Sequence, residues 1–202
     1  MRKYTVMLTA AILLIVISFC FAGERDEIPG SGKVVIEFDF KNQSGRASNQ
    51  FAVWIEDAGG NLIKTLYATR FTANGGYKNR PDSIPAWVKK SNLASMKKSE
   101  IDAITGATPK AGALSYTWDL TDKNGTRVSP GEYSFFVEGS LRWKNRILYS
   151  GKIAVSDVPD TVQAEAEFFY EGSGDQPALA HDSPENSMIG TVSVSFVTSP
   201  AY

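Results

Sequence analysis

The feature that most constrains the fold is a series of short runs in which apolar and polar residues alternate. Between Lys33 and Phe40, every second residue is apolar, which is the period of a strand with one buried face. Similar runs occupy residues 50–56, 62–71, 113–120, 133–140, 146–155, 162–170 and 189–198. About eight strands with regular turn spacing predict an all-β fold, an antiparallel β-sandwich.

The residues between these runs are typical of tight turns. Residues 57–61 contain two consecutive glycines and predict a hairpin between the second and third runs. The Asn124-Gly125 pair suits a turn that needs positive φ, and Pro130-Gly131 suits the start of the following strand. Among the four tryptophans, Trp54 and Trp118 fall within strands, so we expect them in the core, and we expect Tyr133 there as well.

Two segments interrupt the β pattern. Residues 83–98 combine Pro85 with alanines, leucine, methionine and lysines, which predicts an inserted helix with Ser83 as N-cap and Trp87 near the surface. Residues 171–187 are rich in Gly, Pro, Asp and Ser and predict a mobile loop.

The N-terminus has the pattern of an export signal. Arg2 and Lys3 precede an apolar run at residues 6–21, and Ala22 follows it. This predicts a signal peptide at residues 1–22, a linker at 23–32, and one domain at 33–198 in the periplasm or another extracytoplasmic compartment. A permanent anchor is disfavoured because a membrane span needs about 20 apolar residues. A lipid anchor at Cys20 is disfavoured because Phe19, a large residue, precedes it.

Composition excludes several classes of site. Cys20 is the chain's one cysteine, so cleavage would leave no thiol for a disulfide, a metal site or a nucleophile. The chain has a net charge of −1, and loss of Arg2 and Lys3 would make it about −3. It has no overall excess of positive charge of the kind that nucleic-acid-binding proteins carry. A hydrolase is disfavoured because His181 is the lone histidine and no Gly-x-Ser-x-Gly motif is present.

Residues 102–108 read Asp-Ala-Ile-Thr-Gly-Ala-Thr. This segment resembles the motif at which a bacterial flavin transferase esterifies FMN onto a threonine. The resemblance implies that Thr108 is the acceptor and that Asp102 and Thr105 occupy the acidic and hydroxyl positions of the motif. Gly106 and Ala107 would then be the small residues that let the backbone enter a narrow active site. Pro109 keeps Thr108 out of helical conformation.

Two other resemblances extend this interpretation. Residues 118–138, with Trp-Asp, Asn-Gly and Pro-Gly-x-Tyr in order, resemble the Ig-like module of flagellar hook-capping proteins, which implies an Ig-like sandwich. From about Lys33 to Val197 the chain resembles a family of predicted periplasmic proteins, domain-of-unknown-function family 2271. The family resemblance and the motif at residues 102–108 together imply a non-enzymatic accessory of an extracytoplasmic electron-transfer system, with covalent FMN as cofactor and a flavin transferase and a membrane redox protein as partners.

An alternative function remains open at this point. Thr-Gly-Ala-Thr-Pro is also an ordinary turn, in which the glycine supplies positive φ, the hydroxyls bond local amides and Asp102 braces the backbone. The protein would then be a non-catalytic binding or scaffold module of the cell envelope. Such a module would use edge strands and the insertion at residues 71–98 to hold a partner. The basic residues near Trp143 and the loop at residues 75–80 are further contact candidates, although solvated surface charge is the commoner explanation.

Overall fold

A computed structural model describes residues 31–43, 49–140, 146–169 and 187–198. Over these residues the chain forms ten strands in two sheets and three short α-helices. The strands are β1 (Gly32–Phe40), β2 (Gln50–Glu56), β3 (Leu62–Thr69), β4 (Thr105–Gly106), β5 (Gly112–Trp118), β6 (Gly131–Ser140), β7 (Arg146–Val155), β8 (Asp160–Gln163), β9 (Glu165–Phe169) and β10 (Ser193–Thr198). The expected all-β sandwich with a helical insertion is confirmed. The expected signal peptide, Trp143, His181 and residues 171–186 of the expected loop lie outside the described residues.

The two sheets pack face to face around one main core. The first sheet has the order β5-β1-β10-β8, and the second has the order β4-β3-β2-β6-β7-β9. Every pairing is antiparallel except that of β4 with β3. The alternating apolar residues of β1 face those of β2 and β6 across the sandwich, as the two-residue period requires. The fully buried members include Val34, Ile36, Phe51, Ile55, Phe135 and Val137.

At both lateral edges of the sandwich the chain passes directly from one sheet to the other. On one side it leaves β4 of the second sheet and enters β5 of the first, and on the other side β8 is followed by β9. The expected single strand at residues 162–170 is therefore two strands, divided at Ala164. The Ala164 amide donates to the carbonyl of Val192, 2.9 Å away, because the chain turns there out of one ladder into the next.

The turn between β5 and β6 has the features that its residues predict. Gly125 has a φ of +83°, and the Asp122 carboxylate accepts from the amides of Asn124 and Thr126 at 2.8 Å each. Trp118 is fully buried and packs edge-on against Tyr133 at 4.9 Å between ring centroids. Both aromatic residues lie in the main core, as expected. The Ig-like assignment, which is more specific than a sandwich, stays a prediction.

The insertion between β3 and β4 forms a second, smaller core on the outer face of the second sheet. It contains the helices α1 (Arg70–Ala73), α2 (Pro85–Ser91) and α3 (Lys98–Ile104), with two single 3-10 turns between them. The buried residues of this smaller core come from β2, β3 and the insertion: Ala52, Trp54, Ala68, Ala73, Ile84, Trp87 and Leu93. Trp54 is thus in a core, as expected, but in the smaller one.

The expected helix at residues 83–98 is wrong in length and in its cap. Helix α2 ends at Ser91 because Asn92 adopts a left-handed conformation, with φ of +50°. Ser83 is not the N-cap: it is buried, and its hydroxyl lies 2.7 Å from that of Thr72. The first free amides of α2 instead donate to the carboxylate of Glu138 on β6. A side chain from the sheet therefore takes the place of a local cap.

Candidate functional site

The motif at residues 102–108 lies at one lateral edge of the sandwich, where the chain changes sheets. Asp102 is in the last turn of α3, and Thr105 and Gly106 form the two-residue strand β4. Strand β4 pairs in parallel with Ala68 and Thr69 of β3. Ala107 and Thr108 then lead out of the second sheet towards β5. The segment is thus part helix and part strand, and only its last two residues are irregular.

Thr108, the expected acceptor, is on the surface. Its side chain is exposed, as are those of Ala107 and Asp102, whereas Thr105 and Gly106 are half-buried. Within the part of the chain that the structure describes, the hydroxyl of Thr108 has no hydrogen-bond partner. The same holds for the hydroxyl of Thr105 and the carboxylate of Asp102. The bracing contacts that a purely structural turn would draw from these side chains are therefore not made among those residues.

Tyr67 on β3 holds the motif in place. Its hydroxyl donates to the carbonyl of Ala107 at 2.8 Å, directly before Thr108. Its ring lies against Gly106, where an added Cβ would come within 2.6 Å of Tyr67 Cε2. The glycine is thus required by close packing on the tyrosine ring, and its φ is not in the left-handed region. The expectation that Gly106 supplies positive φ is wrong, because the residue is extended in β4.

A cluster of aromatic rings lies under this edge. Tyr67 stacks on Phe51 at 4.8 Å and lies 5.1 Å from Tyr116 of β5, measured between ring centroids. Burial raises the pKa of Tyr67 to about 12, against a smaller opposing effect of Arg70. Burial also raises the pKa of Tyr116, and neighbouring Tyr67 adds to that increase. Both phenols stay neutral at physiological pH, so the motif packs against an uncharged aromatic ring, that of Tyr67.

The raised pKa of Tyr67 leads to a testable pH dependence. Because its folded pKa lies above the ordinary value of 10.0, the protonated phenol stabilises the fold at all pH values below about 10, and this contribution is lost as the pH rises through about 12. We expect the difference between the ultraviolet phenolate titrations of the wild type and Tyr67→Phe to have its midpoint near pH 12. A difference titrating near pH 10 would show that the ring is solvated and does not hold Ala107.

Sequence inspection did not identify either tyrosine as part of the site. Tyr67 and Ala107 are 40 positions apart in the chain. The sequence predicts the strand that carries Tyr67, but it does not indicate that the tyrosine ring contacts the motif. The glycine of the motif was the available signal, since a glycine in an extended segment often marks the close approach of another group. That signal does not name the group.

Comparison with known protein families identifies a family model that matches most of the chain. A family model described as "Predicted periplasmic protein (DUF2271)" matches residues 32–171. The chain belongs to this family. The match begins at β1, ends after β9 and includes the whole of the motif at residues 102–108, while β10 lies beyond it. Neither the curated proteins nor the solved structures yield a significant match to the chain.

The family description places its members in the periplasm. None of the helices in residues 31–43, 49–140, 146–169 and 187–198 is long and apolar enough to cross a membrane.

Other sites on the described surface offer less chemistry. No group of three or more histidine, cysteine, aspartate or glutamate side chains suited to a metal ion occurs among the described residues. A shallow groove of about 270 Å³ lies on the outer face of the first sheet, between Glu37 and Asp39 of β1 and Ala113 and Ser115 of β5. Its lining includes the carboxylates of Glu37 and Asp39 and the hydroxyls of Ser115 and Thr191.

Proposed function

We propose that this protein is a periplasmic accessory of an electron-transfer system that carries FMN esterified to Thr108. The observation that carries the proposal is the accessibility of this threonine. Its side chain is exposed, and its hydroxyl has no partner among the described residues. An acceptor that another enzyme must modify needs both properties, because its oxygen has to enter a foreign active site.

The backbone around Thr108 also suits an acceptor. On its N-terminal side the chain is held by the β4–β3 pairing and by the bond between Tyr67 and the Ala107 carbonyl. A hydroxyl on a fixed backbone loses less conformational entropy when it docks than one on a free loop. Gly106 and Ala107 add little bulk beside it. The segment therefore supports an acceptor role that does not need a separate flavin-binding fold.

FMN and the protein chain would contribute different parts of the chemistry. When bound, FMN would supply one- and two-electron exchange. The attachment would form a bond between Thr108 Oγ1 and the FMN phosphorus of FAD and break the diphosphate bond, with AMP as the leaving group and the hydroxyl proton passing to solvent. Next to the acceptor, Tyr67 donates to the Ala107 carbonyl, and its neutral ring lies 5.1 Å from that of Tyr116, which provides an aromatic surface.

Covalent labelling of Thr108 is the direct test. We expect co-expression with a bacterial flavin transferase to give a product with the intact mass of one added FMN and with in-gel fluorescence, and Thr108→Ala to abolish both. Thr117→Ala is the matched control, since Thr117 is an exposed threonine on β5 outside the motif and its loss should leave the label in place. An unmodified wild-type mass, under conditions that label a known acceptor, would refute the proposal.

A further inference from the structure

We infer that the solvent-facing surface of residues 70–110 is a docking surface for a partner protein with an acidic face. This stretch comprises the whole insertion and the motif that contains Thr108. The inference does not rest on the proposed function, because it concerns the unmodified protein. If both hold, the partner would be brought next to the acceptor threonine.

Charge is distributed unevenly along this chain. Between residues 70 and 110 there are eight Lys or Arg and three Asp or Glu, a net charge of +5. The chain as a whole carries −1, so the residues outside this stretch carry −6. A basic segment on an otherwise acidic protein produces a local field of one sign, which steers charged partners into a preferred orientation.

Most cations of this stretch face solvent. Six of them are exposed: Arg70, Lys78, Lys89, Lys97, Lys98 and Lys110. None of the six forms an ion pair among the described residues, whereas Lys64, Arg146 and Lys152 of the sandwich each pair with a carboxylate. Within the stretch, Lys90 pairs with Glu56 of β2. The exposed cations are therefore available to a partner.

The arrangement of apolar residues favours a protein over a membrane surface. A segment that lies on a bilayer presents a free apolar face to the lipid. The apolar residues of the insertion instead pack on the outer face of the second sheet, and those of α2 and its surroundings, Trp87, Ile84 and Leu93, are buried there. In this stretch the described exposed large hydrophobic residue is Phe71. The exposed residues are mostly polar or charged, with six cations and the two carboxylates Glu100 and Asp102, and this excess of positive charge suits an acidic protein surface.

Charge reversal within and outside the stretch tests the inference. The probe is fluorescently labelled poly-L-glutamate, titrated with the unmodified protein at low salt and followed by anisotropy. We expect the wild type to bind at low salt despite its negative net charge. Binding should be lost at physiological ionic strength and above, where the Debye length is about 8 Å or less and the charges are screened. Lys97→Glu with Lys98→Glu should weaken binding by about tenfold or more. Acidic residues at the start of α3 favour that helix, so this variant should fold.

The control changes the net charge by the same amount at exposed lysines outside the stretch. Lys33→Glu with Lys123→Glu, on β1 and in the β5–β6 turn, should bind poly-L-glutamate as tightly as the wild type does. Equal weakening in both double variants would overturn the inference, because the effect would then follow net charge alone. Failure of the wild type to bind would also overturn it. So would binding to phosphatidylglycerol vesicles without binding to poly-L-glutamate, which would indicate a lipid surface.

Discussion

Glu138→Ala is expected to lower the free energy of unfolding by about 3–5 kcal/mol, the usual cost of removing one partner from a buried ion pair. The Glu138 side chain is fully buried and accepts three hydrogen bonds. They come from the Trp87 amide at 2.8 Å, the Ala86 amide at 3.1 Å and Arg146 Nη1 at 3.1 Å. Alanine would leave two helix amides and a partly buried guanidinium without their acceptor.

The matched control for Glu138 lies on the same strand. Glu132 of β6 pairs with Lys152 at 2.6 Å, but its side chain is 53 % exposed, so Glu132→Ala should cost about 1 kcal/mol or less. Urea unfolding of the two variants, followed by circular dichroism, gives the comparison. Equal losses would show that Glu138 does not link the insertion to the sheet. Burial raises the pKa of Glu138 while its hydrogen bonds oppose that effect, so we expect Glu138→Gln, which keeps the shape, to lose less than the alanine variant.

Trp87→Ala is the second variant with a large expected effect, and it should lower the free energy of unfolding by about 3–5 kcal/mol. Trp87 is 0 % exposed in the smaller core, and its indole nitrogen donates to Thr65 Oγ1 at 3.1 Å. Alanine would leave a cavity between α2 and β3 and an unpaired hydroxyl below it. Hydrogen exchange should show loss of protection in α2 and the segments around it before the ladders of β1 with β5 and β10, because those lie in the separate main core.

An exposed aromatic residue of the same insertion serves as the control for Trp87. Phe71 is 49 % exposed, and Phe71→Ala should change the free energy of unfolding by about 1 kcal/mol or less, as is usual for surface positions. If the two variants unfolded at the same urea concentration, the insertion would not be packed as described. A uniform loss of exchange protection in Trp87→Ala would show instead that the two cores unfold as one unit.

Sequence patterns predicted the burial of the apolar residues of β1 but not the burial of Trp87. The alternation at residues 33–40 predicted which side of β1 is buried, and each of those apolar side chains is in the main core. Trp87 was expected near the surface, because it falls in the predicted inserted helix and not within a strand. It is buried, because the outer face of the second sheet is itself apolar and needs a cover. That face could not be recognised until the strands were placed next to one another.

Some features of the proposed site could be read from the sequence, and others appear only in the tertiary structure. The motif at residues 102–108 was visible in the sequence, including the glycine that marks a close approach. Its anchor on Tyr67, the exposure of Thr108 and the aromatic rings beneath it follow from the packing of β3, β4 and β5. The charge of the insertion was likewise present in the sequence, but the overall balance of the chain conceals it. Only the fold shows that those lysines remain on the outside.

The sequence by itself determined the β class, the main core and the position of the motif, because a two-residue period and turn chemistry are local properties of the chain. The tertiary structure decided what caps α2, what holds Ala107 and which tryptophans are buried. It also divided the run at residues 162–170 between two sheets. Each of these depends on contacts between residues far apart in the chain, such as Trp87 with Glu138 and Tyr67 with Ala107. No local pattern records such a partner, because the geometry that brings the two together exists only after the sheets have packed.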